Sequence, residues 1–426
     1  TDNNHSDLIS DLDNIGKYYP EILNHVELKN NTKNHISFQK IIDKIYDVKT
    51  DNEFIGNNDS NIKIATTNPE DFDLDFSKAP KIIENQKMQG DGKARYQGIE
   101  FVNLDSSKPM KLPNFSHDFS ENISRITFEN ISFDGVTVNR IVNRDGLKRI
   151  DINGTGTQNI NAITGIVKAH QIGINKISDR EYNEFISNVY KKCTVLDTIE
   201  IENQKLQNRP IFKSLAKNPN VSFVSVKNSK VNNLDGLEDF NGRIAQCYLS
   251  GNDLQISDLE RMYNFKMTNP YLQFELLNNT GIMKEISKMP QISTDSQKIL
   301  ADYYSKSGEI PMYLNKKNCM NIFSVGFFDN VPYYAKDAEI VRSRLKAKSN
   351  PMMVKDNFEI DYLNFNSVHM ENGTMLFTIS QIEHLLNSGK IIPQNVRVKI
   401  DNASQLDNTK LEDLQNRMNS KGMNIT

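Results

Sequence analysis

Apolar and polar positions along this chain follow one short rule many times over. In "IAQCYLSGNDLQ" the apolar residues Ile244, Cys247, Leu249 and Leu254 fall at relative positions 1, 4, 6 and 11, with Asn252 at 9. The same spacing runs through "VSFVSVKNSKV" from Val221 and "LDTIEIENQKL" from Leu196. It continues upstream in "VKAHQIGINKI", with Val167 at 1, His170 at 4 and Ile172 at 6, in "LKRIDINGTGT" from Leu147 and in "ISRITFENISF" from Ile123. Downstream it recurs in "YLQFELLNNTG" from Tyr271, in "FNSVHMENGTM" from Phe365 and, more loosely, around Val398 and Ile400. The starts from Ile123 to Tyr271 lie 24, 20, 29, 25, 23 and 27 residues apart. A chance match to a few apolar positions does not recur at such intervals.

The rule has a mechanical meaning. Positions 4 and 6 alternate about a polar position 5, which predicts a short strand with one buried face. Positions 1 and 11 bring the chain into and out of the same core. An Asn at position 9 can satisfy backbone groups left open where the strand ends. Capping boxes after several strands predict helices: Ser178 with Glu181, Ser257 with Glu260, Ser380 with Glu383, and Thr409 with Glu412. One copy alone cannot bury its apolar face, whereas stacked copies can. Each buried Val, Leu, Ile or Phe then contributes roughly 1.5–3 kcal/mol before the entropy of ordering is subtracted.

The spacing resembles the leucine-rich repeat family, whose signature is L-x-x-L-x-L-x-x-N/C-x-L. The match covers about residues 121–426, with Val and Ile often replacing Leu. This resemblance implies an α/β solenoid, with a curved parallel sheet on the concave side and helices on the convex side. Residues 1–60 show helical apolar spacing (Leu8, Leu12, Ile15, then Ile41, Ile42 and Ile45), broken at Pro20. Residues 61–120 read as an irregular cap or early repeats, with "YQGIEFVNL" as a strand. The stretch 283–364 reads as degenerate repeats with an insertion, and the polar helix from Thr409 closes the open end of the core.

Composition narrows the function. The net charge is −3, from 51 basic and 54 acidic residues, so no nucleic-acid partner is expected. No apolar run reaches membrane-spanning length, so no membrane insertion is expected. Cys193, Cys247 and Cys319 lack any zinc-binding spacing and read as small buried hydrophobes. "GDGKARYQG" does not have the spacing of a phosphate loop, and no H-E-x-x-H or G-x-S-x-G occurs. No cofactor and no metal is expected.

What remains is the strand face turned away from the core. Its candidate partner-binding residues are Arg125, Glu129, Arg149, Asp151, Glu200, Glu202, Phe223, Tyr248, Glu275, Leu277 and His369. Aromatic side chains among charged neighbours suit a protein partner. The expectation is a monomeric, non-enzymatic binding module, exported by a bacterium, whose partner is a host-derived protein. The alternative is an enzyme with its active site in the first 120 residues, where His25, His35 and His117 are among the candidate acid–base side chains, and with the repeats presenting substrate.

Overall fold

The computed structural model describes residues 2–51, 59–82, 95–255, 367–371, 374–387, 392, 394–401 and 403–425, with parts of 257–281. The chain forms two compact units, residues 1–168 with 359–426, and residues 169–358. The stretch 283–364 lies outside the described residues.

In the first unit, β1 (His25–Asn30), β2 (Ser60–Thr66), β3 (Gln97–Asn103), β4 (Arg125–Glu129) and β5 (Arg149–Asn153) form consecutive parallel neighbours. Ile62, Ile99, Ile126 and Ile150 fall in one row and Ile64, Phe101, Phe128 and Ile152 in the next. All of these side chains are buried. β3 is the strand expected from "YQGIEFVNL". The first 60 residues are not wholly helical: β1 lies between helices α1 (Asp2–Tyr18) and α2 (Gln39–Thr50). Helix α1 ends before Pro20, which opens a 3-10 turn. Proline fits the first turn of a helix and breaks its interior.

The C-terminal strands do not extend the array in sequence order. β11 (Ser367–Glu371) pairs with β1 in parallel and with β12 (Thr374–Phe377) in antiparallel. β13 (Arg397–Ile400) and β14 (Asn424–Ile425) follow in parallel. The chain therefore builds outward from both edges of β1. Arg397 ties β13 to α1 through Asp7 and Asp11, at 2.8 and 3.0 Å. Helix α6 (Ile379–Asn387) opens with a reciprocal cap: Thr378 Oγ1 accepts from Gln381 N–H, and Gln381 Oε1 accepts from Thr378 N–H. The cap of α7 (Asn408–Ser420) is Asp407, which accepts from Lys410 N–H at 2.8 Å. In both helices the capping residue precedes the expected Ser380 and Thr409 by two positions. Ser178 caps its helix as expected, accepting from Glu181 N–H at 3.3 Å.

The second unit carries β6 (Gln171–Asn175), β7 (Thr198–Glu202), β8 (Phe223–Lys227), β9 (Gln246–Tyr248) and β10 (Gln273–Glu275), all parallel and in sequence order. Ile199, Val224, Cys247 and Phe274 share a row. The β6 copy is shifted by two residues from the expected reading. Ile172 and Ile174 pair with Ile199 and Ile201, so Ala169 and Ile172 enter the core while His170 is exposed. Short helices, α4 (Asp179–Glu184) and α5 (Ile211–Leu215), lie between these strands. Cys193 and Cys247 are buried, and burial pushes the Cys193 thiol up to about 12. Parallel strands in register with intervening helices make this an α/β fold of the leucine-rich-repeat solenoid type.

A second regularity emerges just past each strand. The residue two beyond the second buried strand position is left-handed in copy after copy: Asn130, Lys176, Asn203 and Asn228 have φ of 57°, 54°, 55° and 51°. Gly154 and Gly251 hold the same position at 95° and 72°. Asn and Gly tolerate this region better than other residues. The turn lets the backbone continue the ladder: Asn203 N–H donates to Lys227 O and Asn228 N–H to Ser250 O, both at 3.1 Å.

Candidate functional site

Along each strand, alternate residues point to the core and to the open face of the sheet. In the first unit, Glu27, Lys63, Glu100, Thr127 and Asp151 make one row across β1 to β5. Lys63 Nζ lies 3.3 Å from Glu27 Oε2. Burial alone would lower the Lys63 ammonium, but the carboxylates of Glu27 and Glu100 outweigh it and hold its pKa up. Burial raises Glu100, which also accepts from Asn61 Nδ2 at 3.2 Å.

Further along, Arg125 Nε donates to Asp151 Oδ2 at 2.7 Å, and Arg149 Nη2 donates to Asp151 Oδ1 at 2.9 Å. Asp151 is buried, unlike the exposed residue expected from its position. Burial works against its charge, but Arg149 and Arg125 outweigh burial and hold the carboxyl below its ordinary range. Arg125 also lies over the Tyr96 ring at 5.7 Å. Charges on this face are thus largely matched within the protein. Glu129 is half-buried between Val102 and Asn153. His369 stands beside Glu27 in the strand register.

The second unit's face is different. Phe223 and Tyr248, from neighbouring strands, meet edge to face with centroids 5.2 Å apart and ring planes at 85°. Both are half-buried. Tyr248 shares a row with Glu200, Ser225 and Glu275. Glu202, which is exposed, pairs in register with Lys227. Leu277 lies outside the described residues. The register therefore brings Glu200, Glu202, Phe223, Tyr248 and Glu275 onto one face, while Arg125, Arg149 and Asp151 form a compact cluster on another.

Sequence reading missed Glu27 and Lys63 because their strands fell in stretches taken as helical or irregular, and Glu100 because its strand, though expected, was not aligned with the repeat positions. The signal was present: "HVELKN" and "SNIKIAT" alternate apolar and polar over strand length. Of the histidines in the first 120 residues, His35 Nδ1 lies 2.6 Å from the buried Asp71, and His117 Nδ1 lies 4.0 Å from Asp75. His25 opens β1. Among the described residues, no group of three His, Cys, Asp or Glu is placed to hold a metal ion, and no helix is long and apolar enough to cross a membrane.

No family profile and no curated protein matches the chain by sequence. Among solved structures, an internalin (inlF) of Listeria monocytogenes is similar, at 15% identity and a TM-score of 0.26, covering 54% of this chain and 76% of that one. At that level of superposition the likeness adds nothing to the strand register, which stands by itself.

Proposed function

We propose that the chain is a non-enzymatic protein-binding module that takes a protein partner on the open face of β6–β10. The observation that carries this reading is the Phe223–Tyr248 pair, packed at 5.2 Å on a strand face and set beside acidic positions. Aromatic side chains held by their neighbours offer large contact area with little conformational freedom left to lose. The register sets Glu200 and Glu275 in the row of Tyr248 and Glu202 in the next row beside Lys227, so basic groups on the partner's contacting segment complement these acidic positions. In the first unit, Arg125, Arg149 and Asp151 shape the open face, and Glu129 and His369 are its contact residues. Export by a bacterium, a monomeric state and a host-derived partner belong to the same proposal.

Affinity capture from host-cell lysate and from host surface proteins tests it. The wild-type chain captures a partner that Tyr248→Ala and Glu200→Lys release while keeping their far-ultraviolet circular dichroism. Folded variants that bind every captured protein with unchanged affinity overturn the assignment.

A further inference from the structure

Away from the open faces, a cleft of ≈ 180 Å³ lies between the loop 115–120 and helix α3 (Gly135–Val142). Thr137, Arg140 and Ile141 share one face of α3, and Arg144 follows just past its end. Opposite them stand Phe115 and Phe119, with Asp118 at the rim. Phe119 packs against Phe115 at 5.0 Å and Phe76 at 5.7 Å, so the floor is a fixed aromatic layer.

The charge in this cleft is poorly matched. Arg144 donates to two neutral carbonyls, Ser120 O at 2.8 Å and Ile123 O at 2.5 Å. Its Nε is buried with no hydrogen-bond partner, and its guanidinium lies 5.9 Å over the Phe119 ring. Among the described residues no carboxylate pairs with it. Burial pushes Arg144 down to about 10, the direction expected of a cation stripped of water without a counter-ion. Arg140 does have a partner, Asp118 at 3.0 Å, but that carboxylate is 96% exposed and the pair holds weakly.

We infer that this cleft binds a small aromatic carboxylate, with the ring on Phe115 and Phe119 and the anionic oxygens toward Arg140 and Arg144. Each half of the cleft demands one half of that ligand. A neutral ring leaves the Arg144 charge uncompensated, and a bare inorganic anion leaves the aromatic floor wet. Size agrees: apolar cavities of about 150 Å³ in other proteins admit a single benzene ring. The exposed Asp118 yields Arg140 to an incoming carboxylate, which makes a bidentate contact.

Calorimetric titration of the full chain with benzoate, benzamide and acetate tests the inference. Benzoate binds saturably, benzamide binds at least about tenfold more weakly, and acetate does not saturate up to about 20 mM. Arg140→Gln weakens benzoate about tenfold, and Arg140→Lys recovers part of the loss. Because Arg140 is an exposed side chain, circular dichroism of the variants stays that of the wild type. Absence of saturable benzoate binding, equal binding of benzamide, or an unchanged affinity in folded Arg140→Gln would each overturn the proposal.

Discussion

Asn252 Nδ2 donates to the carbonyl of Val226 on the preceding rung at 2.7 Å, while Asn252 Oδ1 accepts from Ser229 N–H at 2.9 Å and Val231 N–H at 3.1 Å. One buried side chain thereby satisfies the turns of two coils. Asn279 repeats the arrangement one rung later, donating to Leu249 O at 2.9 Å and accepting from Leu254 N–H at 3.1 Å. Removing the Asn252 amide strands several buried backbone groups at once. Asn252→Ala is expected to destabilise the chain by about 2–3 kcal/mol. Asn188→Ala, on an exposed side chain, is expected to stay within about 0.5 kcal/mol. Urea unfolding of the two variants measures the contrast.

The left-handed position makes a prediction of opposite signs. Gly251 has φ of 72°, and a Cβ there would overlap the side chain of Asn228. Gly251→Ala is therefore expected to cost about 1–3 kcal/mol. Lys176 holds the same position at φ 54° without the local hydrogen bonding that makes Asn tolerant there. Lys176→Asn is expected to stabilise by several tenths of a kcal/mol, up to about 1. Thermal melts of both variants test whether one rule governs both rungs.

Lys49 sets the pH dependence of the first unit. It is 2% exposed, its Nζ donates to Ser60 Oγ, and burial pushes its ammonium down to about 7. An unfolded lysine titrates near about 10.4. Below the folded value both states carry the proton and the buried charge weakens the fold. Between the two values the unfolded chain binds more protons, so stability rises with pH, by at most about 1.4 kcal/mol per unit. Lys49→Met is expected to be more stable than wild type near pH 6 and to lose that slope. Urea midpoints between pH 6 and 9.5 decide it; parallel curves for the two proteins would show that Lys49 does not titrate this way.

Asp151 has the opposite sign. Its folded pKa is depressed, so its contribution is full above the unfolded value of about 3.9 and is lost as pH falls through the lower folded value. Asp151→Asn leaves Arg125 and Arg149 without their shared carboxylate. At pH 7 the substitution is expected to cost about 3 kcal/mol. The gap from wild type narrows once the pH drops below about 3.9. Unfolding curves at neutral and acid pH give both values.

The sequence was most legible where two apolar positions flanked one polar residue with nothing else competing, as at Ile199 and Ile201 or Val224 and Val226. Those rungs, and the facing of Phe223 and Tyr248, follow directly from alternation. The β6 reading slipped because Val167 and Ile177 sit at plausible outer positions, while Ala169 is small enough to be overlooked as the buried start. The outward positions of that copy are Gln171 and Asn175, not Ala169. Position 8 went unread because its signal is conformational and not hydrophobic, carried by Asn and Gly in all but one of the six copies. The edge chosen by β11 was not legible at all. Alternation specifies which face of a strand is buried, and it is silent about which neighbour the strand joins. The burial of Asp151 on the open strand face was not legible, because alternation does not report that charges on one face can cover each other.

Successive copies within each unit lie side by side in register, so that their outward residues share a face. Glu202 pairs with Lys227 across β7 and β8, and strand neighbours lie about 4.8 Å apart. A thiol reagent bridging about 5 Å therefore distinguishes two double-cysteine variants. Glu202→Cys with Lys227→Cys is predicted to be bridged in the folded protein. Glu202→Cys with Phe223→Cys, displaced by four residues or about 13 Å along β8, is predicted to stay open. Bridging of the second pair in preference to the first, or of neither pair in a folded chain, would contradict the stacked-rung account.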